Sequence, residues 1–141
     1  MKQAKIVAVL VALSLVGLVE SAYGADKFDF GKREYESRCA VCHGTDGKGL
    51  GPYAGIIDTR IPDITTMARR NGGVFPTSRV QELIDGRQTV RAHGPRDMPI
   101  WGKEYLATAG EAYFDVPYDP EFYVRTRVIA LVDYIYRMQV K

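Results

Sequence analysis

Two cysteines and a histidine lie within five consecutive residues, in the order Cys39-Ala40-Val41-Cys42-His43. Covalent attachment of a haem needs two thiols that reach both vinyl groups from one turn of helix. It also needs an adjacent imidazole that falls under the iron. The C-x-x-C-H spacing supplies all three groups. We therefore interpret Cys39 and Cys42 as the points of haem attachment and His43 as a ligand of the iron.

The same two cysteines have other possible uses. In a secreted chain they could form a disulfide or a redox pair of the thioredoxin type. The redox pair requires a preceding strand and a βαβ context, and the sequence shows neither. A structural zinc site requires four ligands, and His93 is the only other histidine. Haem attachment therefore accounts for the motif better than these alternatives.

The first 24 residues have the pattern of an export signal. A short basic segment precedes an apolar run of 14 residues, 6–19, and the small residues Ala22 and Gly24 mark a cleavage site. A membrane-spanning helix needs roughly 20 apolar residues, so this run is short for an anchor. We predict a cleaved signal peptide at 1–24 and a periplasmic protein. An uncleaved signal would instead anchor the protein to the membrane.

Size and charge describe an ordinary globular protein. The chain has 141 residues, of which 46% are hydrophobic and 26% are charged, so we predict one mature domain at 25–141. Removal of the signal leaves 17 Lys and Arg against 16 Asp and Glu, which is nearly neutral. Basic residues interleaved with aromatics, which would track a phosphate backbone, do not form a dense cluster. Nucleic acid is not expected as a partner.

Helical spacing is clearest at the two ends of the mature chain. Residues 26–43 carry inward-facing positions every three or four residues, and Asp119 followed by proline is a helix start signal. A glycine inside a helix costs about 1 kcal/mol relative to alanine, so Gly31 indicates a close crossing with the last helix. The apolar stripe of that last helix consists of Val124, Val128, Leu131, Val132, Ile135 and Met138.

Shorter elements separate these two helices. Asp63 is a candidate N-cap for a helix over 64–70, and a Ser-x-x-Gln capping box at Ser78 predicts a helix that ends at Gly86. The hydrophobic residues of 101–118 show no sustained period of either the helical or the strand kind. The evidence for strands is poor throughout the chain. The sequence therefore predicts a mainly α chain in which 101–118 is an ordered excursion of undefined shape.

The order of these features resembles a class I cytochrome c over nearly the whole mature chain. C-x-x-C-H is the most specific part of the resemblance. It implies the cytochrome c fold, with N- and C-terminal helices crossing and with short helices and loops wrapped around one haem c. The other matching positions are Gly31, Tyr35, Gly51-Pro52, Met98-Pro99 and Leu131-x-x-Tyr134.

The resemblance also implies roles for individual residues around the haem. Cys39 and Cys42 match the thioether attachment points, and His43 matches the proximal axial ligand. The carbonyl of Pro52 matches the acceptor of a hydrogen bond from the other ring nitrogen of that histidine, a contact that orients the imidazole. Trp101 is similar to an aromatic residue near the haem propionates, although a buried structural role fits it equally well.

Met98 is the expected second axial ligand. It stands in a stretch rich in glycine and proline, 93–102, which cannot form regular helix and can hold a thioether at a fixed point. Met67 and Met138 fall in predicted helices, whereas Met98 matches the Met-Pro of the family. His93 as the ligand, or an open site, is the alternative.

Ligation by histidine and methionine implies a function. With both axial positions filled, the iron has no site for oxygen or peroxide, and the soft thioether favours the ferrous state. We expect a monomeric periplasmic carrier that passes single electrons between redox protein partners and is not an enzyme. One alternative is a haem subunit of a periplasmic dehydrogenase or oxidase, attached through residues 103–118. Another is a peroxidase or ligand sensor, which requires that Met98 does not bind iron.

Overall fold

The computed structural model of the chain describes residues 28–87, 98–112 and 119–140. The predicted signal peptide and His93 lie outside these ranges. Over the described part the chain is helical and contains no strand, which confirms the mainly α prediction. No helix within the same part is long and apolar enough to cross a membrane. The helices are α1 (Phe30–Arg38), α2 (Ala40–His43), α3 (Met67–Arg70), α4 (Thr77–Asp85), α5 (Trp101–Ala112) and α6 (Pro120–Arg137).

The C-terminal helix α6 is the centre of the fold and packs against α1, α4 and α5. It begins as predicted, because the Asp119 carboxylate accepts a hydrogen bond from the Glu121 backbone N–H at 2.9 Å and Pro120 occupies the first turn. The predicted apolar stripe faces the core. Its buried members are Val124, Val128, Leu131, Val132 and Ile135.

Helices α1 and α6 cross at Gly31, as the sequence predicted. A Cβ atom on Gly31 would overlap the Ala130 carbonyl oxygen and would lie 3.1 Å from the Tyr134 Cβ. The fully buried Tyr35 packs its ring 5.2 Å from that of Tyr134 and donates its hydroxyl hydrogen to the Gly44 carbonyl at 2.7 Å. This crossing fixes the helix that leads into the cysteine motif against the core helix.

The N-terminal helical segment is shorter than predicted and is divided in two. It starts at Phe30 because the Asp29 carboxylate caps it, accepting a hydrogen bond from the Lys32 backbone N–H at 3.0 Å. It breaks at Cys39, which separates α1 from α2. The inward stripe that was predicted from Gly31 onward is nevertheless preserved on α1.

Two of the predicted N-caps are wrong. The carboxylate of Asp63 binds the backbone N–H and the hydroxyl of Thr65, at 2.8 and 2.7 Å, and helix α3 begins only at Met67. Helix α4 begins at Thr77, so Ser78 lies inside it and does not cap it. The predicted end of α4 at Gly86 is confirmed, with that glycine in the left-handed conformation.

Helix α5 forms from residues that show no hydrophobic period. Its buried positions are Gly102, Tyr105 and Ala109, which do recur at spacings of three and four. Because this stripe combines a glycine, a tyrosine and an alanine, hydropathy alone did not reveal it. The helix packs mainly on α6 and also on α4. The excursion expected at 101–118 is therefore helical as far as Ala112, and residues 113–118 lie outside the described part.

Candidate functional site

The two cysteines and the histidine of the motif sit on one turn of helix. Cys39 caps α2, and its carbonyl accepts hydrogen bonds from the backbone N–H of Cys42 at 3.1 Å and of His43 at 2.9 Å. Both thiols are free and partly buried, and they do not form a disulfide. This is the arrangement that attachment to two vinyl groups of one macrocycle requires.

The loop after the motif folds back onto α2. The carbonyls at a helix C-terminus lack partners within the helix, and this loop supplies their donors. The backbone N–H of Gly49 donates to the His43 carbonyl at 2.8 Å, and that of Gly51 donates to the Cys42 carbonyl at 3.1 Å. Between them Leu50 remains 81% exposed. The loop thus braces the motif through the backbone and leaves apolar surface beside it.

The ring of His43 is half-buried, and its Nδ1 atom is buried. Burial lowers the pKa of His43, and the nearby Pro62 carbonyl acts in the opposite direction. Nδ1 has no hydrogen-bond partner among the described residues. The resemblance assigns the carbonyl role to Pro52, which is exposed, whereas the carbonyl that acts on His43 in the structure is that of Pro62. A neutral imidazole is the form that binds a metal.

Trp101 is the first residue of α5, and Met98 lies three residues before it. Both are partly buried and pack against the hydrophobic core. The Trp101 ring lies 6.3 Å from that of Tyr105, and the Arg38 guanidinium lies 5.8 Å from the centre of the Trp101 ring. The roles of Met98 as an iron ligand and of Trp101 beside the propionates stay predictions.

A buried charged cluster that the sequence pattern did not predict lies behind Cys39. Glu34 of α1 is only 8% exposed, and its carboxylate pairs with Arg127 of α6 and lies 3.5 Å from Arg38. Burial and then the Glu34 carboxylate raise the pKa of the Cys39 thiol to about 12. The position of Glu34, three residues after Gly31 on the inward stripe, was the available signal. A buried carboxylate of this kind needs a cationic partner.

Arg127 connects this cluster to three aromatic rings. Its guanidinium carbon lies 4.5 Å from the ring centre of Tyr123, 5.2 Å from that of Phe30 and 5.6 Å from that of Tyr105. Guanidinium groups are attracted to aromatic faces at such distances. Arg127 therefore joins α1, α5 and α6 on the side of the core next to Cys39.

These residues fit a covalently bound haem. The fit rests on the two free thiols on one helical turn, the half-buried imidazole that follows them with its unpartnered buried Nδ1, and the Pro62 carbonyl near that ring. Cys39 and Cys42 would hold the macrocycle, and His43 would bind the iron. The large exposed apolar side chains of the following loop, Leu50 and Ile56, suit a hydrophobic group beside the motif.

Comparison with known proteins agrees with this geometry. The family model for cytochrome c matches residues 28–113, which is more than half of the chain and includes the motif, Met98 and Trp101. No curated protein and no solved structure gives a match. The chain therefore belongs to the cytochrome c family and is an electron-transfer protein with a covalently bound haem c.

Proposed function

We propose that this cytochrome is a periplasmic one-electron carrier whose haem iron is held by His43 and Met98. The observation that carries the proposal is the placement of two free thiols and His43 on one helical turn, within a chain of the cytochrome c family. When bound, the haem supplies an iron that gains or loses one electron at a time. The remaining properties come from the residues of the chain.

His43 would serve as the fixed ligand. Its ring follows a helical turn whose carbonyls are tied to the loop at Gly49 and Gly51, and the Pro62 carbonyl faces the ring. A carbonyl at the second ring nitrogen fixes the tautomer and strengthens the imidazole as a ligand. We assign this role to Pro62 in place of Pro52.

Met98 would serve as the second ligand. Its thioether is a soft donor that would favour the ferrous state, and with both His43 and Met98 bound the iron would have no free position for small molecules such as peroxide. Met98 packs against the hydrophobic core, as does Cys39. Apolar packing of both residues would keep water from part of the site and lower the local dielectric constant.

The surface of α5 favours a free carrier over a permanent subunit. Its outward positions include the charged residues Lys103, Glu104 and Glu111, all of which are exposed. Cores of permanent interfaces are depleted of charged residues, whereas a carrier needs only a modest and transient contact area with each redox partner. Copurification of a larger redox subunit with the native cytochrome would instead support the dehydrogenase or oxidase alternative.

The test is an optical spectrum of the protein matured in a periplasm that attaches haem. We expect the covalent c-type spectrum, with the long-wavelength ferric band of iron–methionine coordination. Met98→Ala should abolish this band. Met67→Ala is the matched control, because Met67 is also a partly buried methionine packed on the core, and it should retain the band.

A different spectrum would contradict the proposed ligand set. If the ferric protein is high-spin or bis-histidine, and Met98→Ala leaves its spectrum unchanged, Met98 is not a ligand. Rapid binding of cyanide or carbon monoxide would then favour a peroxidase or sensor. The same expression experiment tests location, since covalent haem should be found in the periplasmic fraction and the mature chain should begin at Ala25 by mass.

A further inference from the structure

Arg87 lies at one end of the ten-residue segment 88–97, and Met98 lies at the other. The Arg87 Nε and Nη2 atoms donate to the two carboxylate oxygens of Asp85, at 2.7 and 2.9 Å. Its Nη1 atom donates to both carboxylate oxygens of Glu121, at 2.7 and 2.8 Å. Arg87 thereby joins the end of α4 to the first turn of α6.

Gly102 brings the start of α5 against the Asp85–Arg87 pair. It lies four residues after Met98, in the first turn of α5. A Cβ atom on Gly102 would overlap the Asp85 Oδ1 atom and would lie 2.7 Å from both the Asp85 carbonyl oxygen and the Arg87 Nε. The start of α5 is therefore packed directly against the Asp85–Arg87 pair.

We propose that Asp85, Arg87, Glu121 and Gly102 form a clamp that positions Met98 as the ligand of the iron. This inference rests on the proposed function, in which Met98 binds the iron. The four members are positioning residues, since they act on Met98 through the start of α5. We call them the Arg87 clamp.

The ion pair between Arg87 and Asp85 holds the clamp in one geometry. The side chains of Arg87 and Asp85 are 27% and 26% exposed, so solvent screens their pairing only in part. Hydrogen bonds from the Arg87 side chain are the main cause that lowers the pKa of Asp85. A planar guanidinium bound through two nitrogens to one carboxylate also fixes orientation, which a single lysine ammonium would not do.

The physical effect of the clamp is on conformational entropy. If the start of α5 were free to move relative to α4 and α6, Met98, which lies three residues before α5, could take many positions. Fixing one of them has an entropic cost that binding to the iron would have to offset. Because the clamp already holds the start of α5 against Asp85 and Arg87, Met98 loses less freedom when it binds. Loss of the clamp should therefore favour release of the methionine from the iron.

The main test is Arg87→Gln in the haem-loaded protein. We expect the equilibrium between bound and released methionine to shift about tenfold toward release, the size expected for loss of partly buried charge-assisted hydrogen bonds. The ferric iron–methionine band, followed against temperature, should disappear at a lower midpoint. The midpoint of global unfolding in urea is measured in parallel.

Arg137→Gln is the matched control. Arg137 also pairs with two carboxylates, donating to both oxygens of Asp29 at 2.7 and 3.0 Å and to Asp133 at 3.0 Å. It lies at the opposite end of α6 from the clamp. At an equal loss of global stability, Arg137→Gln should leave the midpoint of the band closer to that of the wild type than Arg87→Gln does.

Gly102→Ala tests the clamp by a second route. It keeps all three charged side chains and adds only the Cβ atom that would overlap the Asp85 carboxylate. It should lower the midpoint of the band in the same direction as Arg87→Gln. If Arg87→Gln does not mature, Gly102→Ala and Glu121→Gln provide the same measurement.

The outcomes separate the clamp from the ligand assignment. A band that disappears in Met98→Ala but keeps its midpoint in both Arg87→Gln and Gly102→Ala overturns the clamp alone. Equal shifts in Arg87→Gln and Arg137→Gln, in proportion to global stability, overturn it as well. A wild-type protein without the band, or a band that persists in Met98→Ala, overturns the ligand assignment and the clamp with it.

Discussion

The surroundings of His43 and of Met98 are built in different ways. The groups that tie down the turn carrying His43 come from the adjacent chain, residues 39–51, and consist mainly of backbone hydrogen bonds. The groups proposed to position Met98 are Arg87 and residues at the end of α4 and in the first turns of α5 and α6. They interact through side-chain pairs and one close approach. A local motif can fix one ligand, whereas the proposed second ligand depends on how distant elements pack.

The largest effect is expected at the local motif that carries His43. Cys39→Ala combined with Cys42→Ala removes both thiols from the α2 turn, so covalently attached haem should be lost completely. Haem staining after denaturing electrophoresis, together with the mass of the purified chain, measures this. Ser37→Ala, an exposed position on α1, should retain full attachment. Covalent haem in the double variant would contradict the assignment of the motif.

An effect of intermediate size is expected for Glu34. It tests whether the cysteine motif also depends on tertiary contacts. Glu34→Ala removes the carboxylate that pairs with Arg127 and leaves a mostly buried guanidinium without its partner. Breaking a buried pair in this way costs about 3 kcal/mol, and this loss should appear in the free energy of unfolding of the haem-loaded protein in urea.

The control for Glu34 lies on the same helix. Glu36 pairs with Lys32 at 3.8 Å, and both side chains are about half exposed to solvent, so Glu36→Ala should cost no more than about 0.5 kcal/mol. Equal losses in the two variants would show that the buried cluster behind Cys39 adds nothing beyond a surface pair. A larger loss in Glu34→Ala would show that the motif is supported from the core as well as locally.

The smallest expected effect concerns the far end of the α1–α6 crossing. Hydrogen bonds from the Arg137 side chain and then from the Lys32 backbone lower the pKa of Asp29 from 3.8 to about 2. A carboxyl whose pKa is lowered by folding stabilises the folded state above its ordinary pKa. This contribution should therefore be lost as the pH falls from about 4 to about 2.

Asp29→Asn isolates that contribution. The difference in unfolding free energy between the wild type and Asp29→Asn should be small and constant above pH 4, because both side chains of the pair are partly open to solvent, and should shrink below it. Unfolding in urea at a series of pH values measures the difference. A difference that does not change with pH would mean that the pairing with Arg137 does not stabilise the fold.

Much of the fold could be predicted because its signals are local or periodic. The stripe of α6, its start at Asp119 and the crossing at Gly31 all follow from spacing and residue type, and the structure confirms them. Helix α5 was not predicted because two of its buried positions are Gly102 and Ala109. These residues are buried because they are small, and a hydropathy pattern does not report size. The N-caps assigned to Asp63 and Ser78 were wrong because short capping patterns also occur in turns and within helices.

The residues of the candidate site likewise divide into those that the sequence predicted and those that it did not. The thiols and His43 could be identified because five adjacent residues carry the whole chemistry. The contact of Pro62 with His43 could not, because the loop brings a carbonyl 19 positions away in the sequence onto the ring. Glu34 and Arg127 were missed for a related reason, since charged residues are assigned to the surface until a buried partner is seen.

The sequence by itself determined the chemistry of attachment, the helical class and the face that each end helix turns toward the core. These properties depend on neighbours within one or two helical turns. Only the tertiary structure decided which carbonyl faces His43, that Glu34 is buried against Arg127, and that Asp85, Arg87, Glu121 and Gly102 meet at the start of α5. Such contacts join residues that are far apart along the chain, and their geometry exists only once α1, α4, α5 and α6 have packed.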